Sequence, residues 1–335
     1  MKHLSIIALS VLMAAVMAVV IAYVDIHAWA QRPAAGKDPR ERIVSVERGQ
    51  RLRSTAEVLH RQGIVDDPLR FRVLARLEGL ENTIQAGEYA LSPAMAPLQV
   101  LHILVEGRVV LHRLTVPEGL RIRQIAQLAA AAGLVEAEEF IAAATDPEMA
   151  RSLGIPADSL EGYLFPETYF FPGSATARDL CRTMVNRFHT VFSDAWRQRA
   201  DQIGFSVHEI VTLASIIEKE TAMPSERAAI SSVFHNRLRR GMRLETDPTV
   251  IYGIENFDGN LTRKDLRAGT PYNTYVIRGL PPGPIANPGK AALEAALFPA
   301  DTNYLYFVAK NDGTHAFSAT LREHNRAVRR YQKGG

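Results

Sequence analysis

The chain has 335 residues, enough for two or three folded units with cores of their own. Its 39 Lys and Arg against 36 Asp and Glu leave a formal net charge of +3, too small to indicate a nucleic-acid partner yet compatible with an acidic polymer or lipid surface. A single cysteine, Cys181, excludes an intrachain disulfide and any multi-cysteine metal centre, and its helical-looking surroundings predict a core position.

After Met1-Lys2-His3 an uncharged apolar run extends from Leu4 to Val24, close to the ~20 residues needed to span a bilayer. Lys2 marks the cytoplasmic side. Ala28-Trp29-Ala30 has the pattern of a signal-peptidase site. The apolar run exceeds the ~7 to 15 residues usual for a cleaved signal, so residues 1–30 are expected to remain as an anchor. Arg32, Lys37, Arg40 and Arg42 follow the span and weaken its charge asymmetry, but a large folded domain translocates regardless. The bulk of the chain is therefore expected outside the inner membrane, in the periplasm. Residues 31–41, with Pro, Gly and charge, read as a linker.

Residues 42–155 contain a duplication. Aligning Val46 to Val65 with Val116 to Val135 matches Gly49 with Gly119, Arg51 with Arg121, Arg53 with Arg123, Ala56 with Ala126 and Gly63 with Gly133. Both copies read as strand, glycine turn, amphipathic helix and glycine stop. Residues 156–335 read as a mixed α+β domain. Helices are predicted over 178–203, 207–221 and 225–240, the last with Ser225 as N-cap, Gly241 beyond its end, and Ile230, Val233, Phe234 and Leu238 as its buried stripe. Asn236 lies off the centre of that stripe, where it would face a cleft. Asp247-Pro248 is expected to start a short helix with the aspartate as cap. Residues 267–289 form a loop rich in Pro, Gly, Tyr and Asn that suits a sugar-lined groove. A hairpin around Asn311-Asp312-Gly313 and a helix over 321–331 close the chain.

The sharpest chemical signal is Glu218. Between Glu209 and Glu218 only Thr212 and Ser215 interrupt an apolar run. At about 100° per residue Glu218 shares a stripe with Val211, Ala214 and Ser215. A carboxyl on such a stripe is desolvated, which raises its pKa toward the range a general acid needs. A buried structural ion pair fits the same placement. Glu220 lies about 200° further round the helix and points elsewhere. No G-x-S-x-G, H-E-x-x-H, P-loop or dinucleotide fingerprint occurs, and the ten histidines lack metal-ligand spacing, so neither metal nor nucleotide cofactor is expected.

The strings EGYLFPETY from Glu161, LASIIEKET from Leu213, SER from Ser225, VFHNRL from Val233, GMRLETDPTVIYG from Gly241, YNTY from Tyr272, GLPPGPIANPG from Gly279 and YLYFVAK from Tyr304 occur in that order. Together they resemble the MltG or YceG-like family of membrane-anchored endolytic murein transglycosylases. The resemblance implies cleavage of the MurNAc-β-1,4-GlcNAc bond within peptidoglycan strands, without water, to give 1,6-anhydroMurNAc ends. It places the essential glutamate on Glu218 and implies peptidoglycan synthases (penicillin-binding proteins) as partners. It also implies that the first copy of the duplication, with AGEYALSP and LHILVEG, is a LysM-like subdomain, either binding glycan or spacing the enzyme from the membrane.

In that chemistry a protonated Glu218 donates to the glycosidic oxygen. Its carboxylate then takes the proton of the MurNAc 6-hydroxyl, which closes on C1. Hydrolysis needs a second carboxylate roughly 5 to 5.5 Å or 6.5 to 9.5 Å away, for which Asp247, Glu220, Glu167 and Glu245 are the candidates. Two alternatives stay open, a muramidase-type hydrolase using Glu218 and Asp247, and a non-catalytic glycan-binding scaffold. Glu220, Asn236, Thr246, Asp247, Tyr252, Asn273 and Tyr275, the polar groups of the matching motifs, are the candidate substrate-binding residues.

Overall fold

A computed structural model of the chain describes residues 2–34, 39–221 and 223–332, so part of the expected 31–41 linker, including Lys37, lies outside the described residues. Helix and strand are mixed, in two compact units: Met1–His112 with Phe170–Ser174, and Arg113–Tyr169 with Ala175–Gly335.

Unit 1 begins with helix α1 (Lys2–Ala30), of which Leu9–Ala30, 22 residues, is long and apolar enough to cross a membrane. Its large side chains are exposed from Ile6 to Val24. Its last turn is not: Trp29 and Ala30 are buried in the core of unit 1 and Ile26 packs against it. Trp29 Nε1 donates to Asp66 Oδ1 (2.8 Å), and Asp25 pairs with Arg70 (3.2 Å). Strands β1 (Arg42–Val46) and, after helices α2 (Leu52–Arg61) and α3 (Pro68–Leu77), β2 (Gly87–Leu91) pair antiparallel from Arg42↔Leu91 to Val46↔Gly87. α4 (Pro97–Glu106) follows. Val44 and Val46 alternate inward from β1 to meet Leu59, Phe71, Leu74, Tyr89 and Leu101, as a half-buried strand requires. Asp67 caps α3 by accepting from the amides of Leu69 and Arg70.

The duplication is present in the backbone. β1, Gly49 at φ +78°, α2 and Gly63 at φ +67° are echoed by β3 (Leu111–Thr115), Gly119 at φ +76°, α5 (Ile122–Ala131) and Gly133 at φ +68°. These left-handed positions are where a side chain costs most.

In unit 2, α6 (Ala137–Ala144) and α7 (Pro147–Ser152) follow; β4 (Thr168–Pro172), of which Phe170–Pro172 belong to unit 1, is the partner of β3. The single helix predicted over 178–203 is two: α8 (Ala177–Val191) and α9 (Asp194–Gln202). Phe192 leaves helical geometry to stack on Phe188 and meet Trp196, and Ser193 caps α9. α10 (Val207–Glu220) is buried continuously from Ile210 to Ile217 and packs against α9, α11 (Arg227–Arg239), α12 (Asp247–Tyr252) and α13 (Lys290–Leu297). A 3-10 turn at Pro224–Glu226 precedes α11, so that helix starts later than expected and Ser225 does not cap it. The hairpin forms from β5 (Tyr306–Ala309) and β6 (His315–Ser318), and α14 (Leu321–Tyr331) follows. Cys181 is buried, which pushes its thiol up to about 12 and fits the core position.

Candidate active site

Because α10 is enclosed along its length, Glu218 leaves it with a carboxyl only 7% exposed. Its Oε2 accepts from the amide of Gly289 at the start of α13 (2.9 Å), and its Oε1 is 3.6 Å from Arg227 at the start of α11. Arg227 is also 4.0 Å from Glu118. Burial is the main reason that the Glu218 pKa is raised. The Gly289 amide opposes it, Glu118 adds to it, and Arg227 and Lys219 pull it down. The Lys219 ammonium donates to the Gly119 carbonyl (3.3 Å), and a Cβ on Gly119 would sit 3.5 Å from Glu218 Cγ. At Gly289 a Cβ would meet the Glu118 carboxylate at 1.8 Å, so a side chain there would displace the end of Glu118.

Behind this carboxyl lies a second one, Glu161, buried at 8% exposure. It accepts from the Ile122 amide (3.2 Å) and from Asn287 Nδ2 (2.9 Å). Asn287 in turn accepts from the Leu164 amide at Oδ1 and exchanges backbone bonds with Gly119 and Leu120. Two residues on is Gly289, the Glu218 donor. Glu161 and Asn287 thus brace both segments that touch Glu218. Burial holds the Glu161 carboxyl up at about 7, against the Ile122 amide and Arg121.

Glu220 faces a different cavity, of about 500 Å³, lined also by Thr246, Asp247, Tyr275, Tyr306 and His315. The Thr246 hydroxyl donates to Glu220, whose pKa burial raises to about 7. Asp247 does not cap α12: Thr246 occupies the N-cap position, and the Asp247 Oδ1 accepts from the Tyr275 hydroxyl (2.7 Å). A hydroxyl donor 28 residues away has outcompeted the local cap.

The remaining candidates separate. Tyr252 lies against Tyr272 (4.7 Å between ring centres), beneath Arg121 and 3.4 Å from Glu161, beside a cavity of about 670 Å³. Asn236 does not face a cleft; its Nδ2 donates to the carbonyls of Thr302 and Tyr304. Asn273 Nδ2 is likewise committed to the carbonyls of Asp265, Leu266 and Ala268. Glu167 pairs with Arg187, and Glu245 with Arg237. The structure therefore gathers Glu220, Thr246, Asp247 and Tyr275, and sets Glu218 apart with Glu118, Arg227 and Gly289. None of those three was a candidate from sequence, nor were Glu161 and Asn287. One signal was present: Glu118 stands where the first copy of the duplication has Arg48, a charge reversal beside an otherwise matched glycine.

Residues 44–330 match the YceG-like family. The "Endolytic murein transglycosylase" of Bacillus subtilis (strain 168) is 33% identical over 312 residues, 88% of this chain and 86% of that protein. The protein of the same name from Streptococcus pneumoniae serotype 2 is 31% identical over 317 residues, 85% of this chain but 57% of its own greater length. The crystal structure of a yceG-like protein from Listeria monocytogenes matches at a TM-score of 0.60 and 34% identity, over 86% of this chain and 98% of that one. Matched in sequence from β1 to α14, and in structure over most of its length, this chain belongs to the YceG-like family.

Proposed function

We propose that this protein is a lytic transglycosylase of peptidoglycan, with Glu218 as its acid and base. The observation that carries the reading is a nearly enclosed carboxyl with a raised pKa, aimed at one backbone amide and one guanidinium. Burial favours the protonated form of Glu218, which gives its proton to the glycosidic oxygen as the C1–oxygen bond breaks. The Gly289 amide and Arg227 then stabilise the new carboxylate. That carboxylate removes the proton from the MurNAc 6-hydroxyl, whose oxygen closes on C1. Glu218 is protonated again, no water is consumed, and a 1,6-anhydroMurNAc end results. Glu220, Thr246, Asp247 and Tyr275 form a polar, aromatic-walled subsite for the strand, with Tyr252 at a separate contact.

The α1 helix is a single-pass anchor in the inner membrane, with the rest of unit 1 and unit 2 in the periplasm. Supporting an uncleaved anchor, Trp29 and Ala30 belong to the core of unit 1, and cleavage after Ala30 would remove them with α1. Residues 42–155 include the LysM-like region and residues 156–335 the catalytic domain. Cleavage beside the membrane would end the elongation of nascent strands, in company with peptidoglycan synthases.

Mass spectrometry of fragments released from purified peptidoglycan by the full-length protein in detergent micelles tests the reading. Anhydro ends from the wild type, lost in Glu218→Gln, are expected. Reducing ends would indicate a hydrolase, and no cleavage by the folded protein would indicate a scaffold.

A further inference from the structure

Helix α3 carries an unpartnered apolar stripe. Leu69, Val73 and Leu77 are 62%, 37% and 49% exposed, and their spacing of four puts them on one face. The opposite face, Phe71, Leu74 and Ala75, fills the core of unit 1. Arg72 and Arg76 flank the stripe on its other edge; Arg76 is 3.8 Å from Glu81, and Arg72 has no ion pair among the described residues.

The place of this helix indicates what covers the stripe. α3 is held to the last turns of α1 by Asp66–Trp29, Arg70–Asp25 and Glu78–His27. Arg70 and Glu78 are about 12 Å apart along α3, while Asp25 and His27 are about 3 Å apart along α1, so α3 crosses the end of α1 instead of running beside it. The uncharged apolar run of α1 ends at Val24, one residue before Asp25. A helix fixed across the end of a membrane span lies along the surface of that membrane.

Resting on the reading of α1 as an anchor, we infer that α3 is a second membrane contact, bedding Leu69, Val73 and Leu77 in the surface of the bilayer that α1 crosses. Arg72 and Arg76 reach from the edge of the stripe to lipid phosphates, their stems along the apolar boundary. A scattered surface apolar side chain needs no such explanation, but three in register beside a span do.

Spin labels placed by Val73→Cys, Val16→Cys or Glu57→Cys in the full chain test this in vesicles of 70% phosphatidylcholine and 30% phosphatidylglycerol. Cys181 is buried and stays unlabelled. The readout is the ratio of collisions with oxygen to collisions with a water-soluble nickel chelate. That ratio is expected to be several-fold higher at 73 than at 57, and to fall to the level of 57 when Leu69→Asn and Leu77→Asn are added. A ratio at 73 equal to that at 57, with 16 still in the hydrocarbon, overturns this inference alone. An aqueous label at 16 overturns the anchor and this contact with it. A ratio at 73 unmoved by the two asparagines overturns the stripe as the cause.

Discussion

The two copies of the strand, turn and helix unit have nearly the same backbone, with Gly49 at φ +78° and Gly119 at φ +76°, but their turns meet different surroundings. A Cβ on Gly49 would touch nothing within 4 Å; one on Gly119 would come into van der Waals contact with Glu218 and Lys219. In the first copy the turn closes on itself, Gln50 accepting from the Glu47 amide and donating to Thr55. In the second, the Gly119 amide donates to Asn287, and the start of α5 is held by Glu161. A repeated unit supplies a well-formed turn and helix start at little cost in new sequence. What that turn does depends on the distant segments that arrive beside it.

The contrast is largest at Glu218, which has no counterpart beside Gly49. Glu218→Gln is expected to lower anhydro-end release by about 10³-fold, within the range for a general acid, with the melting temperature little changed. Trp29→Ala should act on the other unit. Emptying that core position costs roughly 3 kcal/mol or more, which urea unfolding would report, while turnover per folded molecule stays near wild type.

The pH dependence of stability separates the units as well. Glu161 and Glu220, both in unit 2, have folded pKa values near 7, above the ordinary 4.5. A raised carboxyl pKa means that the native state holds more protons than the unfolded state between these values. Stability is therefore full below about pH 4.5 and is lost, by a few kcal/mol, as pH rises through about 7. With Trp29→Phe, the fluorescence of Trp196 follows unit 2 alone; its midpoint is expected to fall from pH 5 to pH 8, and to flatten in Glu161→Gln/Glu220→Gln. Last, Gly49→Ala and Gly119→Ala should each cost about 1 kcal/mol for the left-handed backbone, but only the second should slow cleavage, by about fivefold if it shifts the Glu218 contacts by that same free energy. Equal turnover in the two variants would remove the functional difference between the turns.

Much of this was legible in the chain. The apolar stripe of α10 announced the burial of Glu218, the matched glycines announced both turns, and Asn311 to Gly313 announced the closing hairpin. What was hidden depended on tertiary partners. Phe192 breaks a continuous helical pattern because its ring is wanted by Phe188 and Trp196. Asp247 has an ideal capping sequence but meets Tyr275. Asn236 and Asn273 look like sugar-binding amides until backbone carbonyls claim them. The partners of Glu218 come from residues 118, 227 and 289, and no local pattern connects three such distant segments.

The burial of Trp29 and Ala30 also governs reach. A domain on a flexible tether samples a volume set by the length of its leash. Here the chain is already docked before residues 31–41 begin, so that segment adds no slack between α1 and the rest of unit 1. Unit 1 can turn only as the helix turns. With the helix in a bilayer, unit 1 is confined to a thin layer at the surface, its concentration high there and negligible beyond.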